Sequence, residues 1–233
     1  MSKPETIQTS VGPAKLKRTP RKTLAISVLP DGTLELVAPL ESTLEAILLR
    51  VKKRENWIFT QRRSFKVMNA QRPPLRYVNG ATHRYLGRQY RLKIEVGAES
   101  RGVTLGGGYF HIRLSEVTDE TVKAALDVWY RQHAREQFER RVHPWVIWCQ
   151  QRRLPKPQLR LRAMAKRWGS ALKSGVIYLN PELIKAPSVC IDYVITHEIC
   201  HLKHPDHGSK FRALLQQLCP DWRRLKERLE SCG

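Results

Sequence analysis

The chain has 233 residues, enough for one large domain or two small ones, and 41% of them are hydrophobic. A chain of this length buries roughly two thirds of its unfolded surface, which excludes a wholly disordered protein. No apolar run reaches the roughly 18 residues of a membrane span, and the N-terminal segment lacks the apolar stretch of a secretory signal. The five cysteines form no CxxC pair, so we expect reduced thiols in a cytoplasmic protein.

The charge is strongly basic, with 42 Lys and Arg against 21 Asp and Glu and a formal net charge of +21. Its distribution is uneven: residues 50–93 carry 13 basic and one acidic side chain, residues 131–167 carry 11 and two, and residues 168–233 carry nine and seven. Such a surface attracts polyanions through phosphate contacts and counterion release, but it is equally compatible with a solvated face that serves solubility. Nucleic acid or another polyanion is therefore one partner that the sequence allows.

The first elements in chain order are a tail and a hairpin. Residues 1–22 are rich in Pro, Ser, Thr and Lys and predict a flexible basic tail. From Leu24 apolar and polar residues alternate on both sides of Asp31-Gly32, which predicts a β-hairpin. Residues 41–66 carry apolar side chains near helical spacing and predict an amphipathic helix.

Short strands return over residues 76–114, with turns predicted at Asn79-Gly80 and at the glycines of residues 106–108. We therefore expect residues 23–117 to form a β-rich basic subdomain. No internal repeat is visible in the sequence.

The C-terminal half, residues 118–233, is predicted to be one domain that begins with a long helix. That helix runs from Thr118 to about Arg153, and Pro144 is expected to kink or divide it. A strand and a second hairpin follow, and Ser188 is expected to cap a further helix. The alternation of strands and helices predicts the α+β class.

The candidate metal-binding and catalytic residues lie within residues 197–207. His197 and His201 are four residues apart, so on a helix both imidazoles point the same way and can reach one ion. Glu198 can then act as general base toward a water on that ion. HExxH fixes only three positions and occurs by chance, but four of the chain's eight histidines fall within these eleven residues. We therefore predict a metal site.

The third ligand is open among several residues. His207 is the first candidate, because it follows the predicted break at Pro205, where the chain can turn back under the metal. His204 lies on the same helical side as the two motif histidines and can compete. A downstream carboxylate, Glu227 or Glu230, would give a site of two histidines and one glutamate.

At this point the sequence resembles the YgjP-like metallopeptidase domain, which is related to the SprT-like and WLM zinc metallopeptidases. Upstream, the Pro30-Asp31-Gly32 hairpin also resembles the N-terminal half of that family. The strongest matching residues are Arg167-Trp168-Gly169-Ser170, Ile177 to Asn180, Tyr193-Val194, His197-Glu198, Cys200 to Lys203, His207, Phe211 and Pro220-Asp221.

The resemblance implies a zincin-like catalytic domain that follows N-terminal β-hairpins and a helix. It implies one zinc ion per chain, held by His197, His201 and His207, with Glu198 as base. It also implies that a strand before the metal helix, here Val176–Leu179, can align an extended peptide. One departure is Ala171, where the family usually has cysteine; this position is outside the inferred ligand set.

We therefore predict a zinc-dependent metallohydrolase, most simply a metallopeptidase whose partner is a peptide or protein substrate. Two alternatives remain open from the sequence. One is a metal-dependent phosphohydrolase or pyrophosphatase that acts on a nucleotide, with Arg and Lys holding the phosphates. The other is a nucleic-acid-binding protein whose metal is structural.

Overall fold

The computed structural model divides the chain into two compact units, Met1–Pro74 and Leu75–Gly233. Both contain strands and helices, so the predicted α+β class is confirmed. No helix in the described part of the chain is long and apolar enough to cross a membrane. The residues that the structure describes are 5–21, 23–29, 31–70, 75–97, 102–164 and 167–232, without the side chains of 64–70 and 232.

The N-terminal unit is a four-stranded sheet with two helices. Its sheet has the order β1-β2-β4-β3, in which β2 and β4 are parallel and the two outer pairs are antiparallel hairpins. Residues alternate between buried and exposed along β2 and β4, and the buried ones face Ile47, Val51 and Ile58 of the helices. The elements are β1 (Glu5–Thr9), β2 (Gly12–Thr19), β3 (Ala25–Val28), β4 (Leu34–Pro39), α1 (Leu44–Lys53) and α2 (Glu55–Ala70).

The second unit begins with a sheet of the same design. Its order is β5-β6-β8-β7, again with a parallel central pair between two antiparallel hairpins. In both units a threonine caps the helix four residues after the last strand, Thr43 for α1 and Thr118 for α3. The elements are β5 (Thr82–Tyr85), β6 (Arg88–Val96), β7 (Gly102–Gly106), β8 (Tyr109–Leu114) and α3 (Asp119–Gln151).

The remaining elements complete the second unit. A three-stranded sheet has the order β10-β11-β9, with β10 antiparallel and β9 parallel to the central β11. One hydrophobic core joins these strands to α3, α4 and the sheet before them. The elements are β9 (Gln158–Leu161), β10 (Gly169–Ala171), β11 (Val176–Leu179), a 3-10 helix (Pro181–Lys185), α4 (Ser188–Lys203), α5 (Ser209–Leu218) and α6 (Trp222–Cys232).

The domain boundaries differ from those expected from the sequence. Residues 5–19, predicted as part of a flexible tail, form β1 and β2, because β2 pairs with β4 along six residues. The units divide after residue 74 rather than after residue 117. The reason is that Phe110 and Ile112 of β8 are buried in the same core as α3 and α4.

Three local predictions also need correction. The helix expected over residues 41–66 is two helices, α1 and α2, which meet at Arg54. Pro144 does not divide α3, which continues through it with Val142 and Cys149 buried on either side. Ser188 is the first residue of α4 rather than its cap, and Pro187 occupies the cap position without a side-chain hydrogen bond.

The predicted hairpin and turn regions agree with the structure. Strands β3 and β4 pair around Asp31-Gly32, and glycines of residues 106–108 form the β7–β8 turn. The four cysteines whose side chains are described, Cys149, Cys190, Cys200 and Cys219, form no disulfide with one another.

The β5–β6 turn anchors the segment that leads into α4. The N–H groups of Leu86 and Gly87 donate to the carbonyls of Ile184 and Lys185, at 2.9 and 3.2 Å. Gly87 has a φ of +80°, and a Cβ there would lie 2.8 Å from Cα of Pro187. Only glycine therefore allows the turn to approach the start of α4 this closely.

A paired substitution tests this contact. Gly80 also has a φ of +80° but has no atom within 4 Å of its ideal Cβ position. We expect Gly80→Ala to lower the unfolding free energy by about 1–2 kcal/mol, the cost of a left-handed conformation alone. Gly87→Ala adds overpacking against Pro187, so the decrease should reach about 2–5 kcal/mol. Urea titration of both variants measures the difference; equal decreases would contradict the proposed close approach.

Candidate metal site

Helix α4 and the loop after it bring three histidines together. His197 and His201 lie one turn apart on α4, and the loop after Lys203 returns His207 to them. The Nε2 atom of His207 lies 3.0 Å from Nε2 of His197 and 3.1 Å from Nε2 of His201. The ligand atoms of the three residues all lie within 4.8 Å of one another, so this cluster can hold a metal ion.

The separations and the donor atoms fit a single metal ion. Imidazole nitrogens that surround one ion tetrahedrally at ~2.1 Å lie about 3.4 Å from each other. Nδ1 of His201 lies 3.3 Å from the carbonyl oxygen of His204, to which it can donate, and this leaves the Nε2 lone pair for the cluster. Nδ1 of His197 is buried and has no hydrogen-bond partner among the described residues.

Burial keeps two of the histidines, His197 and His201, neutral, and this is the form that binds metals. It lowers the pKa of His197 to about 4, and the neighbouring His201 and His207 contribute to that decrease. Burial and His207 also lower the pKa of His201. A neutral imidazole offers a free lone pair at neutral pH, so no proton has to be displaced before an ion binds.

Phe211 packs against the histidine cluster. This residue is 2% exposed and lies in the first turn of α5, directly after the loop that carries His207. The centroid of its ring lies 5.0 Å from that of His197, 4.6 Å from that of His201 and 4.7 Å from that of His207. One aromatic side chain therefore packs against all three imidazoles and fixes where the loop returns.

The other candidate ligands lie outside the cluster. His204 ends α4 and contributes its carbonyl oxygen to the His201 contact. Glu230 lines the same cleft from α6 but lies 3.7 Å from Nζ of Lys226, with which it forms an ion pair. Glu227 is exposed and is not among the residues that line the cleft.

Glu198 is buried between α4 and the edge strand β10. It is 6% exposed, and burial raises the pKa of its carboxyl group to about 7. Two contacts act in the opposite direction and lower the pKa: the nearby charge of Arg167 and a hydrogen bond from the N–H of Ala171. A carboxyl group balanced in this way can both accept and return a proton near neutral pH.

Gly169 allows the strand to approach this carboxylate. A Cβ at Gly169 would lie 2.6 Å from Oε1 and 2.9 Å from Cδ of Glu198. Because Glu198 is buried, its side chain has little room to move away. The glycine of the Trp168-Gly169-Ser170 sequence therefore makes space for the carboxyl group.

Asn180 holds the segment that leads into β10. Its Nδ2 donates to the carbonyl of Met164 at 2.9 Å, and its Oδ1 accepts from the N–H of Glu182 at 3.2 Å. Its own N–H donates to the carbonyl of Trp168 at 2.8 Å. One buried side chain thus links the end of β11, the 3-10 helix and the approach to the strand at the cleft.

The histidines and Glu198 lie in an open cleft of about 560 Å³. Strand β10 lines one side, and α6 contributes Lys226 and Leu229 to another. Tyr193, one turn before His197, is largely buried, and burial raises its pKa to about 12, so its hydroxyl stays protonated. Cys200 is fully buried in the core, as a packing residue would be.

The strand at the cleft is not the one expected from the resemblance. Val176–Leu179 is β11, the central strand of its sheet, and both of its edges are already paired. Strand β10 is the edge strand and borders the cleft instead. The sequence predicts the hairpin that joins the two strands, but which strand lies at the edge depends on the pairing of β9 with β11.

Comparison with protein families gives a match over nearly the whole chain. The family model of the YgjP-like metallopeptidase domain matches residues 22–232. The chain belongs to the YgjP-like family. A search of curated proteins found no match. Membership in this metallopeptidase family supports a hydrolase that uses a bound metal ion and acts on peptides.

Sequence reasoning assigned no role to several residues that build the site. Phe211, Gly169 and Asn180 were part of the matching motifs, but only the fold shows what each contacts. Lys226 lies in a helix 25 residues after His201, and no local pattern connects it with the cluster. The amphipathic pattern of α6 is the one sequence signal that bears on the position of Lys226.

Replacing His207 tests its place in the cluster. We expect His207→Ala to weaken metal binding by more than the roughly 10- to 100-fold that removal of an outer-shell partner causes. His204→Ala is the matched control, because the backbone carbonyl that contacts His201 is retained and metal content should stay unchanged. Metal stoichiometry after dialysis against a weak chelator measures both. A decrease of metal content in the control alone would assign the third ligand to His204.

Adding a methyl group at Gly169 tests the geometry around the carboxylate. Gly169→Ala should displace Glu198 and lower turnover by about 100-fold, the effect of a misplacement near 1 Å, while metal content stays at the wild-type level. Gly208→Ala is the control, because this glycine borders His207 yet has no atom within 4 Å of its ideal Cβ position. Full activity in both variants would show that the close approach of β10 is not needed.

Proposed function

We propose that the protein is a zinc metallopeptidase in which His197, His201 and His207 hold the ion and Glu198 is the general base. The supporting observation is that three imidazoles converge within hydrogen-bond distance next to a buried carboxyl group at an open cleft. Three imidazole donors favour zinc among the common divalent metals, and a three-ligand site leaves a position for water.

A bound zinc ion would polarise the scissile carbonyl and lower the pKa of the attacking water. Glu198 accepts the proton of that water as it attacks, and then donates it to the leaving amine nitrogen. Its raised pKa suits both steps, because the carboxyl group has to exchange one proton in each direction. The protonated hydroxyl of Tyr193 borders the same cleft as a hydrogen-bond donor.

The edge of β10 supports a peptide as substrate. Ser170 pairs with Tyr178 of β11, so in an antiparallel ladder the backbone groups of Gly169 and Ala171 point away from β11. The N–H of Ala171 binds Glu198. Among the described residues no donor reaches the carbonyls of Gly169 and Ala171, so both can accept from an extended chain. An extended peptide bound there would lie along the cleft beside the histidines.

Replacing the base separates catalysis from metal binding. We expect Glu198→Gln to retain one zinc ion per chain but to lower hydrolysis by about 10²–10⁴-fold, because the amide cannot accept the proton. Zinc content and cleavage of unfolded proteins and of a mixed peptide library are measured on the same preparations. An active variant would contradict the assigned base.

The same preparations separate peptidase from phosphohydrolase activity. A panel of nucleoside triphosphates is offered in parallel, since Arg167, Lys173 and Lys226 give the cleft basic groups that phosphates can contact. Cleavage of nucleotides rather than peptides, abolished in Glu198→Gln, would replace the proposed substrate class while keeping the base. Zinc without any turnover in the wild type would favour a structural metal.

A further inference from the structure

The basic segment between α3 and the strand at the cleft is not used by the proposed reaction. Residues 152–167 contain seven Lys or Arg and no acidic side chain. Five of these residues precede the loop at residue 163: Arg152, Arg153, Lys156, Arg160 and Arg162. Within the described part of the chain none of the five forms an ion pair.

Some basic residues elsewhere in this unit do have carboxylate partners. Lys123 pairs with Asp127 at 2.6 Å and Arg135 pairs with Glu139 at 3.9 Å, both on the exposed surface of α3. A solvated face that serves solubility usually mixes both signs of charge in this way. In residues 152–162 all charged groups have one sign, and within the described part of the chain these five cations have no carboxylate partner, which leaves them available to an anion.

The pairing of the three-stranded sheet places two of these arginines beside an aromatic ring. Arg160 lies opposite Tyr178 in the parallel pairing of β9 with β11, and the N–H of Arg162 extends that pairing to the carbonyl of Leu179 at 3.0 Å. The guanidinium carbon of Arg162 lies 5.6 Å from the centroid of the Tyr178 ring. Ile177 and Leu179 are buried on the opposite face, so the arginines and the tyrosine share the outer face.

A second guanidinium–aromatic pair precedes the first in the chain. The guanidinium carbon of Arg152 lies 4.3 Å from the centroid of Trp148, an aromatic ring near the end of α3. Nη1 of Arg152 also donates to the carbonyl of Trp148 at 3.4 Å, and the other N–H groups of the stacked guanidinium can still reach phosphate oxygens. Exposed cations interleaved with aromatic rings are the combination by which proteins bind unpaired nucleotides, because each base has a face that can stack.

We propose that this outer face, defined by Arg160, Arg162 and Tyr178, binds single-stranded nucleic acid. The arginines contact phosphates, and an unpaired base stacks on the tyrosine–guanidinium pair. A duplex can meet the charge but not the stacking requirement, and an acidic peptide offers neither regular phosphates nor bases. The binding is independent of the metal site and of the proposed peptidase reaction.

The test measures binding of the full-length protein to a fluorescent oligo-dT of about 20 nucleotides, a length that spans at least one typical single-strand binding site. Salt is varied from about 50 to 200 mM KCl, the range over which phosphate contacts weaken most visibly. We expect Arg160→Gln/Arg162→Gln to weaken binding at least tenfold at the lowest salt. The salt slope should fall by about 1.4, because each phosphate that is no longer neutralised on a single strand contributes about 0.7.

A matched variant controls for total charge. Lys123→Gln/Arg135→Gln removes the same charge from α3 and should bind within twofold of wild type. Thermal melting checks that both double variants are folded.

Two further variants distinguish stacking from charge. Tyr178→Leu should weaken binding several-fold without changing the salt slope, and Glu198→Gln should bind as tightly as wild type. Equal weakening in the two double variants would overturn the proposal, because binding would then follow total charge. So would equally tight binding of a duplex of the same length or of polyglutamate, and so would the absence of binding at the lowest salt.

Discussion

The burial of one carboxyl group between a helix and an edge strand is the constraint on which the site depends. Glu198 follows His197 directly on α4. When the histidines of this helix face the cleft, the direction in which the Glu198 side chain leaves the helix is therefore fixed as well. Strand β10 has to come close enough for the N–H of Ala171 to reach it, and Gly169 permits that distance. The raised pKa is a consequence of the same packing, because the strand and helix together exclude the water that would solvate the charge.

Other contacts hold the two elements in place from further away. The β5–β6 turn binds the 3-10 helix before α4, and the hydroxyl of Tyr130 on α3 donates to the carbonyl of Arg84 at the base of that hairpin. Arg141 of α3 lies 3.3 Å from Asp192 in the second turn of α4. Helix α3 is thus joined both to the sheet before it and to α4 after it. These connections explain why the second unit has one core rather than two.

The sequence predicted which histidines lie together better than it predicted the architecture. The spacing of His197 and His201 is local and depends only on helix geometry, so the pair could be placed without knowing the fold. The return of the chain to the histidine pair at His207 was expected from Pro205, but the support from Phe211 is visible only in three dimensions. Strand β2 escaped prediction because residues 1–22 are rich in Pro, Ser, Thr and Lys, and because its partner β4 lies some twenty residues later. Likewise, the edge position of β10 follows from long-range pairing, which periodicity does not encode.

The two four-stranded sheets share one design but carry unequal structural constraints. Both have the same strand order, the same pairing senses and a threonine cap four residues after the last strand. The second sheet is tied to the segment before α4 through its first turn, whereas the first sheet packs on its own helices. The family match begins at residue 22, after the first hairpin of the first sheet. A homologue that lacked this hairpin would expose β4 as an open edge, and natural proteins protect such edges with charge, proline or a covering element.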